Sequence, residues 1–134
     1  MKRYLSIFFL LLLFVASPVL AKKGGKEKKV VTKTVYVWGV SMAFSDSVVY
    51  FTEVQPIEGV AMKGGFLPDR HMYAYELKDY MSFQENMPGR TSFIFFSEKR
   101  KKLEKKEAKI KKRLTERDGK TVRYLGDKFK FTKH

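Results

Sequence analysis

The run "SEKRKKLEKKEAKIKKRL", residues 97–114, places Lys101, Lys105, Lys109 and Lys112 at i, i+4, i+8 and i+11, with Arg113 beside the last. On a helix that spacing lines cations along one side, and such a side gathers anions with an affinity that salt screens. Asp69-Arg70-His71 is a second candidate. The planar fork of Arg70 suits an anion, so it joins the lysines as a binding candidate, and an imidazole can move a proton near neutral pH. Ser45-Asp46-Ser47 lacks a Gly-x-Ser-x-Gly elbow and reads as a turn. Glu53 and Glu58 read as exposed acids. Gly64-Gly65 has no Lys-Ser/Thr after it, so it makes no phosphate-binding loop. Only His71 and His134 are histidines and there is no cysteine, which removes His-rich and thiolate metal sites and a cysteine nucleophile. These residues require no metal and no cofactor. They favour anion binding over catalysis.

The chain opens "MKRYLSIFFLLLLFVASPVLA". Lys2 and Arg3 precede an apolar run, Pro18 breaks it, and Val19-Leu20-Ala21 offers small residues for cleavage. These are the parts of a secretory signal peptide, and the run is shorter than the about 20 residues of a spanning helix. Cleavage after Ala21 leaves 113 residues, enough for one core. No cysteine is present to carry a bacterial lipid anchor. The expectation is a bacterial periplasmic or secreted protein with no span left after cleavage. Residues 22–33 form a basic disordered lead-in and residues 34–134 a single domain. At 44% hydrophobic and 15% aromatic, that domain can fold on its core without disulfides.

Charge is unevenly spread. The chain carries +14, yet residues 30–97 hold five basic and seven acidic residues, whereas residues 98–134 hold sixteen basic and six acidic. The lead-in "KKGGKEKK" adds five lysines against one glutamate. A near-neutral body thus has two basic ends. In a cell envelope the matching partners are acidic proteins and anionic lipid or glycolipid headgroups. Nucleic acid is largely absent from that compartment and is not the expected partner.

Several elements must hold these groups. "TVYVWGVSMAF" and "VVYFTEVQ", on either side of Ser45-Asp46-Ser47, predict a hairpin over 35–44 and 48–55. Alternation puts Tyr36, Trp38, Val40, Met42 and Phe44 on one face. Val35, Val37, Gly39, Ser41 and Ala43 take the other, whose small residues leave room for a helix. Neither face is charged, so this strand is expected to be central and covered on both sides. Residues 56–68 read as a loop with at most a short strand at 60–62. Asp69 is a candidate cap for a helix over 69–85 with Tyr73, Leu77, Tyr80 and Met81 on its apolar stripe. "TSFIFFS" predicts a buried strand. Ser97 then caps a second helix over 98–117 with Leu103, Ile110 and Leu114 as a thin seam, too thin for insertion into a membrane surface. Residues 120–134 predict one or two strands. The order β-β-α-β-α-β predicts a small α+β domain, an antiparallel or mixed sheet packed by two helices.

Two resemblances attach to these motifs. The signal peptide, "VYVWGVSMAFSDSVVYFTEVQ", "FLPDRHMYAYELKDY" and the Lys-rich helix together resemble small exported proteins of unknown function from Bacteroidetes-type bacteria; this implies a compartment but no activity. The order of two strands, an Arg-bearing helix, a strand and a Glu-bearing basic helix resembles GIY-YIG nucleases. That resemblance implies motif tyrosines at Tyr36 and Tyr50, a catalytic Arg70 and a metal-binding glutamate at Glu104 or Glu107. "VYVWG" and "VYFTE" depart from the family's motifs. The leading expectation is a non-enzymatic exported domain whose basic helix faces an anionic envelope partner. The alternative is a hydrolase built on the degenerate nuclease arrangement.

Overall fold

A computed structural model describes residues 30–134. The expected signal peptide and residues 22–29 of the lead-in lie outside the described residues. Thr32–His134 is one compact unit that contains every described strand and helix. It also holds both apolar clusters, so it carries what it needs to fold alone.

The strands are β1 (Lys33–Met42), β2 (Val48–Phe51), β3 (Gln55–Val60), β4 (Thr91–Ser97) and β5 (Thr121–Tyr124). The helices are α1 (Arg70–Phe83) and α2 (Arg100–Lys112), in the order β-β-β-α-β-α-β. β1 is central. β4 pairs antiparallel along one edge of it, from Tyr36↔Ser97 to Met42↔Thr91. β2 and β3 pair antiparallel, in succession, along the other edge. β5 runs parallel to β2 on its far side, which makes the sheet mixed.

One helix covers each face of β1, as its alternation requires. Val35 and Val37 pack with Tyr73, Leu77 and Met81 of α1 and with Phe129 and Phe131. Trp38 and Val40 pack with Phe51, Leu103 and Leu114 under α2. Gly39 sets the approach of α1: a Cβ there would meet Leu77 Cδ2 at 2.8 Å and Phe131 Cζ at 3.0 Å. Trp38 stacks on Phe95 with ring centroids 4.7 Å apart and meets Phe51 edge-on at 5.0 Å. Its indole Nε1 is buried with no hydrogen-bond partner among the described residues.

The hairpin forms, but its second strand stops at Phe51. Thr52 N–H donates to Gly39 O at 2.9 Å, and Gly39 N–H donates to Thr52 Oγ1 at 2.8 Å. The register then shifts by one residue between Phe51 and Gln55, and β3 continues along β1. β3 occupies residues that the sequence assigns to a loop because of Pro56 and Gly59. Val35↔Ile57 and Val37↔Gln55 flank Tyr36↔Pro56 in the register, so the position of Pro56 that lacks an N–H faces away from β1. Asp69 stands at the start of α1 in a left-handed conformation (φ 55°) and makes no side-chain cap. The second expected C-terminal strand is replaced by side-chain pairing. Gln55 Nε2 donates to Phe129 O, and Gln55 Oε1 accepts from Phe131 N–H at 2.7 Å. Glu76 accepts from Thr132 N–H and Oγ1–H, which straps the tail onto α1.

Candidate functional site

α2 starts at Arg100, three residues beyond the expected cap. Ser97 Oγ accepts from Lys99 N–H at 3.1 Å, and Lys99 holds the capping position without a side-chain bond. After Lys112 the chain makes one wider π turn, Arg113–Arg117, closed by Asp118 N–H to Arg113 O and by Thr115 Oγ1 to Lys111 O at 2.9 Å. π turns often accompany functional sites.

The seam of Leu103, Ile110 and Leu114 points at the sheet, and the flanking cations are engaged there. Lys106 Nζ lies 5.6 Å from the Phe95 ring centroid and Lys111 Nζ lies 5.0 Å from that of Tyr124. Their stems lie along apolar surface while the charges reach water. Lys101, Lys105, Lys109 and Lys112 face away from the sheet, whereas Arg113 sits on the flank, where it borders a groove with Ile110 and Leu114 and with Val40 and Phe95 of the sheet. All five are exposed, and none forms an ion pair among the described residues. Arg100–Glu104, at 3.4 Å, is the helix's internal pair. Glu107 accepts from Tyr124 O–H at 2.7 Å. Burial pushes the Glu107 carboxyl above its usual 4.5, with the charge of Glu53 acting in the same direction. Burial and the bond to Glu107 raise Tyr124 as well.

At the end of α2, Lys109, Lys112, Arg113, Glu116 and Arg117 line an open cleft of about 540 Å³. Its four cations and one anion leave a net charge of about +3. The helix dipole places roughly half a negative charge there, too little to reverse the sign.

The other expected site residues stand apart from this face. Arg70 is exposed on α1, on the far side of the sheet, with its guanidinium 5.7 Å from the Phe96 ring centroid. Tyr36 lies on the α2 side under Arg100 at 5.0 Å, whereas Tyr50 lies on the α1 side under Arg90 at 5.1 Å. The two tyrosines are on opposite faces of one sheet, so no site contains both. Glu104 and Glu107 are on the face away from Arg70. No group of three His, Asp or Glu side chains among the described residues is placed to hold a metal ion.

Sequence reasoning missed Arg90. Only 4% exposed, it donates from Nε to Ser41 Oγ at 2.9 Å and from Nη2 to Ser41 O and Val48 O. Nη1 meets Asp46 Oδ2 at 2.7 Å. A lone arginine between Gly89 and an apolar strand was the available signal. Four of its five N–H donors are used on the chain itself, so Arg90 clamps the β1–β2 turn.

Comparison with protein-family models, with curated proteins and with solved structures finds no match to this chain. Among the described residues no helix is long and apolar enough to cross a membrane.

Proposed function

We propose that this chain is an exported bacterial domain that binds, without catalysis, an anionic envelope partner through the outer side of α2. That partner is an acidic protein or a surface of anionic lipid or glycolipid headgroups. The observation that carries this reading is the division of cations on α2. Lys106 and Lys111 are used on aromatic rings, while Lys101, Lys105, Lys109, Lys112 and Arg113 are exposed and form no ion pair among the described residues. They run continuously into the basic cleft of the π turn. A face of that kind steers and holds polyanions, and its affinity falls with salt.

The contribution near an anionic surface is about 1 kcal/mol per lysine. Four lysines therefore suffice for a salt-sensitive contact. Arg70 is not part of this face. The nuclease-like alternative is not advanced, because Tyr36 and Tyr50 lie on opposite faces of the sheet.

The test is a backbone amide NMR titration of residues 22–134 with soluble polyglutamate and with anionic lipid nanodiscs. Shifts confined to residues 100–117 support the reading. Shifts centred on Arg70, or none, overturn it.

A further inference from the structure

Among the described residues the outer edge of β4 is open. β4 pairs only with β1, and no other backbone hydrogen bond among the described residues reaches Ser92–Phe96. The phase of that edge follows from Gly39, whose N–H and C=O both face Thr52, the residue after β2. Gly39 is in register with Ile94. In an antiparallel ladder the peptide groups alternate sides. Ile94 therefore turns its N–H and C=O away from β1, and Ser92 and Phe96 do the same.

Four further facts bear on this edge. The strand "TSFIFFS" has no charge, proline or glycine, the devices that normally blunt an exposed edge. Phe93 is 45% exposed. A groove of about 510 Å³ follows the strand past Ser92, Phe93 and Ile94, with Leu67, Ala74 and Arg70 on its other wall. The Ser92 hydroxyl is buried, with no partner among the described residues.

We infer that the occupant of this edge is β4 of a second copy, paired antiparallel about a two-fold axis through Ile94. The sequence is close to a palindrome about that residue: Phe93 meets Phe95, Thr91 meets Ser97, and Ser92 meets Phe96. In that register Ile94 faces Ile94 and Ser92 faces Phe96, so every outward peptide group meets a counterpart. A one-residue slip would lose this match. Phe93 and Phe95 fall at the closely spaced, non-hydrogen-bonded positions, where aromatic cross-strand pairs are most favourable. The axis is normal to the sheet, so both copies of α2 lie on the same side. This last consequence joins the inference to the anion reading; the pairing itself is independent of it. Because each copy is strongly basic, salt should strengthen pairing while weakening anion capture.

The experiment is sedimentation equilibrium of residues 22–134 up to about 1 mM, at low and high salt. The expected result is a concentration-dependent dimer, tighter in salt. Phe93→Lys sets two like charges beside the axis, and Ser92→Pro removes an N–H that β1 does not use. Both should be monomeric with unchanged circular dichroism. A nitroxide on Thr91→Cys, in this cysteine-free chain, should report an inter-copy separation of roughly 20–30 Å, set by six residues of strand rise. A monomer at every concentration, a dimer that persists in both variants, or a label distance well beyond that range would overturn the inference.

Discussion

Arg90 Nη1 lies 2.7 Å from Asp46 Oδ2, and this contact joins the start of β4 to the β1–β2 turn across 44 residues of sequence. Asp46 also accepts from Val48 N–H at 2.9 Å. The backbone bond to Val48, and then Arg90, hold the Asp46 carboxyl below its usual 3.8. A depressed carboxylate adds stability above its unfolded pKa and loses it as pH falls through the folded value.

Arg90→Met should therefore destabilise the fold by about 2–4 kcal/mol at pH 7, because two carbonyls and a hydroxyl lose a buried donor. Part of the gap between the variant and the parent should close below about pH 4, as Asp46 takes a proton in both. Urea unfolding from pH 2 to pH 7 checks this. A gap that is constant with pH would mean that the ion pair adds nothing to the clamp.

Gly39→Ala should cost about 1–3 kcal/mol by overpacking against Leu77 and Phe131. Leu77→Ala alone should cost about 2–5 kcal/mol through the cavity it leaves. The double variant should be more stable than the sum of the two predicts, since the new methyl enters the space that Leu77 vacates. Strict additivity in thermal unfolding would show that the helix does not rest on Gly39.

Glu107 should titrate above the usual 4.5 in a carbon-detected NMR pH series, because burial beside Tyr124 disfavours its charge. Its raised folded pKa adds stability below the unfolded value, and that addition is lost as pH rises through the folded one. Glu107→Gln should accordingly be better tolerated at pH 7 than at pH 4. A midpoint at or below 4.5 would remove the basis for this difference.

Much of the scaffold was readable from pattern alone. The uncharged alternation of β1 implied a central strand covered on both faces, and Gly39, Ser41 and Ala43 marked the side with room for a helix. Tyr73, Leu77 and Met81 marked the stripe of α1. β3 was hidden because Pro56 and Gly59 are local strand-breakers; Pro56 is tolerated because it faces the side that β1 does not use, and Gly59 because it takes a left-handed conformation (φ 73°) where the register with β1 shifts. The pairing of Gln55 with the tail was hidden as well, since a side-chain amide standing in for a strand leaves no period. On the functional side, spacing revealed the lysine stripe, because helical geometry is local. The separation of Tyr36 from Tyr50 depends on register and could not be read from the order of elements. Arg90 carried no periodic signal, as its partners are brought together only by the fold.

The most direct test of the central claim is salt-dependent capture of residues 22–134 by anionic phospholipid vesicles and by immobilised polyglutamate. The parent should be compared with a variant in which Lys101, Lys105, Lys109 and Lys112 are all Gln. The account predicts that the parent binds at least one of these polyanions at low salt and is released at high salt. It also predicts that the variant loses most of that binding, at about 1 kcal/mol per lysine on the vesicles, while its unfolding midpoint stays within about 0.5 kcal/mol of the parent. Binding that survives the four substitutions, or no binding to either surface at low salt, would contradict it.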